Sequence, residues 1–434
     1  MIDITKGNLI TRLCNDTKLP KMVKIRQNFD PQHIDPADIH AVVRAQLDRP
    51  EITGQIKPGM SIAITSGSRG VANVALITKA AVDFLKELGA EPFVFPAMGS
   101  HGGATAEGQK EVLAGFGVTE EYLGCPIKAS MEVVQVGIVP DEGNMPVFTD
   151  RYAHEADGIL LIGRIKAHTA FRGPYESGVV KMSVIGMGKQ HGAETVHESG
   201  FINMGRIMPK VGRVVFDNNN IIAGLGLIEN AYDETCKIVG MTADEVWEQE
   251  PALLLEAKSR MGSILFEHAD TLIVDKIGKD CSGDGMDPNV TGRFACADSA
   301  GSDGFTAQRI VVLGLTEETH HNANGIGMAD VTTQRLIHDA DMDITYPNSL
   351  TSTVLAVVKI PFITECDRTA IQLGIRSCNM IDKANPKVVR IRDTMHVREI
   401  WISEALLDEA RKDPRIEILT EPQEWVFNEE GNLW

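Results

Sequence analysis

Aromatic residues make up only 5% of this 434-residue chain, cysteines number seven, and basic residues are in the minority. Each scarcity removes a class of function. Acidic residues outnumber basic ones by 60 to 42, so the surface repels a phosphate backbone, and no Lys/Arg-rich run with interleaved aromatics offsets this. Nucleic acid is therefore not an expected partner. The cysteines, at positions 14, 125, 236, 281, 296, 366 and 378, are widely and irregularly spaced with no C-x-x-C, which argues against a zinc knuckle and against a disulfide framework. They are expected to be reduced and mostly buried. Nowhere do 18 apolar residues run together, and Met1 to Leu13 holds no apolar core with a cleavage site, so neither a membrane span nor a secretion signal is expected, and the default location is cytoplasmic. The common enzyme signatures are missing as well: no G-x-G-x-x-G after a strand, no P-loop, no G-x-S-x-G and no H-E-x-x-H.

What is present is the composition of a folded α/β protein, with 43% hydrophobic and 24% charged residues. Gly59 to Thr65 predicts a strand, Ser66-Gly-Ser-Arg-Gly70 a loop, and Ala72 to Leu88 a helix. The pattern repeats with a strand at Pro92 to Pro96, a glycine-rich loop from Met98 to Thr105, and a helix at Glu107 to Leu113. Val133 to Val139 and Gly158 to Ile162 are further strands, and Ala243 to Arg260 is a helix with an apolar stripe at Leu253, Leu254, Leu255 and Ala257. A second block follows, with strands at Thr271 to Val274, Arg309 to Leu313, Val388 to Ile391 and Val397 to Ile402, and helices at Ser349 to Val358 and Glu404 to Lys412. The expected fold is thus two α/β domains, 1–262 and 263–434, with mainly parallel sheets and an active-site cleft between them. Ligands of such sheets sit at the loops beyond the carboxyl ends of the strands, so both glycine-rich loops should face one crevice.

Those loops carry the reactive side chains. His168, in Ile165-Lys-Ala-His168 directly after a strand, has a group whose ordinary pKa of about 6.5 allows proton transfer in either direction near neutrality; the alternative is a histidine that merely bonds loop backbone. His101 lies in Gly99-Ser-His-Gly-Gly-Ala-Thr105, where glycines let backbone approach a ligand and the following helix start offers N–H groups to an anion; a plain tight turn is the competing reading. Arg69 can hold a carboxylate or phosphate bidentately, or be a solvated loop arginine. His191 and His197 are six residues apart around Glu194, which is not the i,i+4 spacing that puts two metal ligands on one helix face. The doublet His320-His321 has no spaced partner and is expected to be surface or structural.

Taken together, Ser68-Arg69, Gly99-Ser-His-Gly-Gly-Ala-Thr-Ala-Glu107, Lys166-Ala-His168, and Glu176-Ser-Gly-Val-Val-Lys181 with Gly186-Met-Gly188 resemble, in order and rough spacing, the N-terminal domain of the nickel-pincer lactate racemase family. The resemblance covers residues 10 to 210 and extends only in outline beyond them. It implies a racemase or epimerase that inverts the hydroxyl-bearing carbon of a 2-hydroxy acid. The implied cofactor is a nickel-pincer nucleotide, pyridinium-3,5-bisthiocarboxylate mononucleotide carrying nickel. It further implies that Lys181 tethers the cofactor, that His197, sixteen residues on, is the nickel ligand with His191 as fallback, that His101 and His168 are the acid/base pair, and that Arg69 holds the substrate carboxylate. Racemisation needs an acid/base group for each face of a planar keto acid, and two histidines meet that need.

There are departures from the family pattern. Ser66 stands where the family has an aspartate three residues before the arginine, so its cofactor contact is altered. The stretch from His168 to Lys181 is longer and carries Arg172, Tyr175 and Glu176. Gly283 to Arg293 replaces the family's substrate loop, and Asp287, Asn289 and Arg293 are candidates for binding extra hydroxyls or a second carboxylate on a substrate more polar than lactate; a D-P-N turn is equally a plain loop former. Two other readings remain open: a metal-assisted lyase or dehydratase using zinc or magnesium on His191, Glu194 and His197, and a non-catalytic nickel-nucleotide-binding protein. Self-association of the chain is left open.

Overall fold

The computed structural model describes residues 9–296, 299–302 and 304–434. The chain divides into two compact units, Asp30–Met261 and Met1–Phe29 with Gly262–Trp434. One break between the units falls after Met261, and residues 9–29 are grouped with the C-terminal half. The cause is a strand that sequence reading missed, β1 (Met22–Gln27), whose Val23 and Ile25 are fully buried and which joins the sheet of the C-terminal unit.

In the unit of residues 30–261 the strands are β2 (Ser61–Ser66), β3 (Glu91–Pro96), β4 (Val133–Val139), β5 (Met145–Asp150), β6 (Gly158–Arg164), β7 (Ile221–Glu229) and β8 (Thr235–Thr242). Five form a sheet in the order β3-β2-β6-β7-β8, parallel except for the β7–β8 pair. β2, β6 and β7 are buried at nearly every position because both faces are covered. Ile159 and Leu161 of β6 pack in one core with the helices Phe201–Asp217 and Ala243–Arg260, while Leu160 and Ile162 pack in another with Ile39–Leu47 and Val74–Glu87. β4 stands apart from this sheet, paired with β5 in an antiparallel ribbon. Because β3 and β6 flank β2 on opposite sides, the loops after β2 and β6 part at their carboxyl ends, which opens a crevice there.

The other unit adds β9 (His268–Ile277), β10 (Thr306–Leu315), β11 (Val331–Thr333), β12 (Phe362–Thr364), β13 (Val388–Ile391), β14 (Glu399–Ser403) and β15 (Ile416–Ile418). With β1 they make an eight-stranded sheet ordered β12-β11-β10-β9-β13-β14-β1-β15, parallel from β12 to β13 and antiparallel from there on. Two expected helices are corrected here. The helix expected over Ser349 to Val358 is instead Met342–Ser352 followed by a single 3-10 turn at Leu355–Val358, separated by Thr353 at φ 61°. Glu404 to Lys412 is reduced to a 3-10 turn and one helical turn ending at Ala410. Among the described residues no helix is long and apolar enough to cross a membrane, and all seven cysteines are free, with Cys14, Cys125, Cys236 and Cys378 buried.

The helix Ala243–Arg260 matches its expected bounds. Thr242 caps it, its hydroxyl accepting the Glu245 N–H while the Glu245 carboxylate accepts the Thr242 N–H. Its stripe is narrower than expected, since Leu253, Leu254 and Ala257 are buried but Leu255 is 68% exposed. Thr242→Ala removes the cap and is expected to lower stability by about 1 kcal/mol, read as a lower denaturation midpoint with unchanged m-value.

Candidate active site

A cavity of about 200 Å³ lies at the carboxyl ends of β2, β3 and β6. The loop after β2 contributes Ser66, Gly67, Ser68 and Arg69, the loop after β3 contributes Met98 and His101, and β6 and its continuation contribute Ile162, Arg164 and Lys166. The opposite wall is the helical segment from Gly178 to Gly186, which presents Lys181. Among the described residues, five basic side chains, Arg69, His101, Arg164, Lys166 and Lys181, line the space, and no Asp or Glu side chain does. In a chain of formal charge −18, such a cavity concentrates anions. Arg164 and Lys166 were not foreseen as a basic pair; their position at the end of the apolar run Gly158 to Gly163 was the available signal.

The Lys181 segment begins as the short helix Val179–Lys181 and continues as a π-helical turn, Met182–Gly186, a distortion frequent at functional sites. Its first N–H groups, on Val179 and Val180, both donate to Oε2 of Glu250, at 3.0 and 3.1 Å. Glu250 is buried, and burial pushes its carboxyl pKa up to about 7, against the pull of those two N–H groups. Gly178 makes the approach possible, because a Cβ there would stand 2.2 Å from Glu250 Oε1.

His101 folds back on its own loop. The Met98 carbonyl accepts from both its backbone N–H, at 3.1 Å, and its Nδ1, at 2.9 Å. A carbonyl only accepts, so Nδ1 carries the proton of the neutral ring and Nε2 keeps the lone pair. His168 is arranged in the opposite sense: its Nδ1 accepts the Ala170 N–H at 3.0 Å, which puts the ring proton on Nε2. His168 does not line the cavity. It sits beside it with Phe171, at 4.4 Å between ring centroids, and Phe201, at 6.0 Å, and His197 packs on the same Phe201 at 5.5 Å. Lys181 joins the two groups electrostatically. Desolvation first, then the Lys181 charge, hold His168 well below its usual pKa and bring His197 down to about 4. Both rings are therefore neutral at pH 7.

The loop bearing His168 is organised by buried Glu176, unforeseen in this role. Its Oε2 accepts the His168 N–H at 2.7 Å and its Oε1 accepts the Lys258 ammonium at 2.6 Å. Tyr175 donates to the Trp247 carbonyl at 2.7 Å. The extra residues between His168 and Lys181 thus dock onto the Ala243–Arg260 helix.

Other expected residues lie elsewhere. His191 is exposed and packs edge-on against Phe148 at 4.4 Å, and Glu194 accepts from Gln190. Among the described residues no three His, Cys, Asp or Glu side chains converge as a metal site, so His191, Glu194 and His197 are not assembled into one. Asp287, Asn289 and Arg293 belong to the other unit, where their contacts are structural. Asp287 caps the turn Pro288–Thr291 and accepts from Asn289. Arg293 is ion-paired with Asp330 and donates to the carbonyls of Ala307 and Gln308, at the amino end of β10. His321 pairs with Asp339 at the surface.

No family model and no curated protein sequence matches the chain. Among solved structures it is similar to the lactate racemase apoprotein from Thermoanaerobacterium thermosaccharolyticum. The alignment covers 86% of this chain and 93% of that one at 13% identity, with a TM-score of 0.49. At that distance the likeness assigns no side chain a role.

Glu250 provides a pH test of this geometry. Its pKa rises from an ordinary 4.5 to about 7 on folding, so the folded chain binds the proton more tightly. Its stabilising contribution is complete below about pH 4.5 and is lost as pH rises through about 7, by at most about 3 kcal/mol. Glu250→Gln, neutral throughout, is expected to gain on the wild type between pH 5 and pH 8 in guanidinium unfolding. A constant difference would show that Glu250 is ionised in the fold at both values.

Proposed function

We propose that this chain is a 2-hydroxy-acid racemase or epimerase that works on a nickel-pincer nucleotide tethered at Lys181. The observation that carries the reading is the convergence of Arg69, His101 and Lys181 on one anion-attracting cavity, with neutral His168 and His197 grouped beside it. The residues fit the cofactor. Lys181 offers its amine on the cavity wall, His197 is held in the neutral form that donates a lone pair to a metal, and the basic wall suits a phosphate and carboxylate-derived groups. Ser66, buried at the end of β2, supplies a hydroxyl where the family pattern has a carboxylate. When bound, the cofactor supplies a hydride acceptor and donor.

The chain's own groups handle binding and protons. Arg69 holds the substrate carboxylate by a bidentate contact, which keeps the keto acid from leaving between the two half-reactions. His101, with its lone pair at Nε2, is set to take the hydroxyl proton. His168, neutral with its proton at Nε2, donates a hydrogen bond to a substrate oxygen, as suits a carbonyl being reduced. A hydroxyl and a carbonyl form of one substrate thus find a base and a donor already in place.

Intact mass and nickel content of chain made in a host that builds the cofactor, set against Lys181→Ala, test the assignment. Added nucleotide mass with stoichiometric nickel, both lost in the variant, is the expected result; nickel without added mass would refute the tether, and neither would refute the cofactor. In the loaded enzyme His101→Ala and His168→Ala are expected to keep the added mass while racemisation of 2-hydroxy acids falls by about 10²–10⁴-fold. Unchanged rates in both would remove the acid/base assignment.

A further inference from the structure

The loop that carries His101 is one that should not hold still by itself. Gly99, Gly102, Gly103 and Ala104 all have positive φ, from 53° to 65°, and glycine-rich backbone of this kind has the most conformational freedom to lose on ordering. Yet His101 must present one nitrogen to substrate, and small displacements of a reacting group are costly. Something outside the loop has to restrain it.

The restraint is a line of fully buried polar groups running beneath the loop. Gln109 lies in the first turn of the helix Ala106–Gly115, whose cap, Thr105, accepts the Gly108 N–H. Its side chain is 0% exposed, and its Nε2 donates to the carbonyls of Gly99, at 2.9 Å, and His101, at 3.2 Å. Its Oε1 accepts from Lys189 Nζ at 3.2 Å. That last contact settles which way the amide faces, because an ammonium can only donate, so the oxygen must point to Lys189 and the NH2 group to the loop. Lys189, also 0% exposed, is itself held by the Pro96 carbonyl at the end of β3 and by Asp150, 3.1 Å away at the end of β5. Lys189 opens the helix Lys189–His197 with φ 54°, a conformation uncommon for a residue with a side chain.

We propose that Gln109 and Lys189 are positioning residues for the acid/base chemistry, fixing the His101 loop so that the ring holds its Nδ1–H on the Met98 carbonyl and presents Nε2 as the proton acceptor. The assignment of a base role to His101 rests on the function proposed above; the clamp itself does not. Both side chains are fully buried beneath the loop and spend their polar atoms on loop carbonyls, on Asp150 and on each other. Both act through His101. A buried lysine whose only task was to fill space would be replaced at lower cost by an apolar side chain; an amide oriented by an ammonium toward two loop carbonyls has a directional task.

Two variants separate this role from packing. Gln109→Leu removes the donors. Gln109→Glu preserves volume and the Lys189 contact but turns carboxylate oxygens toward the Gly99 and His101 carbonyls. The first readout needs no cofactor: nitrogen-15 shifts of the histidine rings, with His101 assigned by its loss in His101→Gln. The wild type is expected to show a single Nδ1–H tautomer for His101, and both variants a mixture. The second readout is steady-state kinetics on loaded enzyme, where kcat is expected to fall on the order of 10²-fold with KM within a few-fold and the cofactor mass intact. A His101 tautomer and a kcat both unchanged in folded Gln109→Glu would overturn the inference, and the same result in Gln109→Leu would do so if the glutamate variant does not fold. A His101→Gln enzyme with full activity would sink the proposed function instead, leaving the tautomer measurement to decide the clamp.

Discussion

The contact between the Glu250 carboxyl group and the N–H groups of Val179 and Val180 sets the geometry from which the site is built. A helix start buried in a protein interior leaves donors with no partner unless a side chain meets them. Here that side chain comes from the Ala243–Arg260 helix, with a glycine at 178 to let it in. Lys181 is two residues past the first of these donors, so its place on the cavity wall follows from where Glu250 stands. The same helix reaches the His168 loop through Lys258 and Glu176 and through the Trp247 carbonyl. One well-capped helix therefore locates both Lys181 and the His168 loop, and a shift of that helix would move both together.

Charge is distributed against the overall trend of the chain. The chain is acidic overall, yet among the described residues the cavity at the ends of β2, β3 and β6 has basic side chains and no acidic one on its wall. The acidic partners are set behind the wall. Glu229 pairs with Arg164 at 2.6 Å while also accepting the Ala72 N–H beyond the β2 loop, and Glu176 and Glu250 are turned toward backbone N–H groups. Burial first, and then the Lys181 charge, keep His168 and His197 neutral, so the basicity of both imidazoles depends on the charge of Lys181.

The sequence was most legible where one residue type at one place does one job. Glycines and small polar residues after apolar runs marked both loops of the crevice, and Arg69, His101 and Lys181 do meet at one cavity. The β1 strand was missed because MVKIRQ is short and mixed, and its partners lie nearly four hundred residues away in β14 and β15; no local pattern carries that pairing. β7 was missed because Ile-Ile-Ala-Gly-Leu-Gly-Leu-Ile has no alternation, as expected for a strand covered on both faces. Asp287, Asn289 and Arg293 looked like binding groups because they are polar residues in a loop, but an Asx turn and a guanidinium bridging two carbonyls make the same sequence pattern. Glu176, Gln109 and Lys189 are residue types common at surfaces, and nothing short of the fold shows that they are buried.

Those buried residues share a logic that accounts for their expense. Taking a carboxylate, an amide or an ammonium out of water costs several kcal/mol unless every polar atom is met. Glu176 meets that condition with the His168 N–H and Lys258, and Gln109 with two loop carbonyls and Lys189. In each case the group that completes the bonding is the backbone of a loop bearing a histidine. A loop so held cannot move without stranding a buried polar atom, so the energetic penalty for disorder is much larger than the loop's own few contacts would impose. The two histidines are thereby fixed by different devices, one by a buried carboxylate and one by a buried amide. Their opposite resting tautomers follow from the backbone groups those devices hold in reach: a carbonyl at Met98 for His101, an N–H at Ala170 for His168. Two imidazoles of one unit are thus held with opposed tautomers, one with its lone pair and the other with its proton at Nε2, by backbone groups that the buried side chains keep in place.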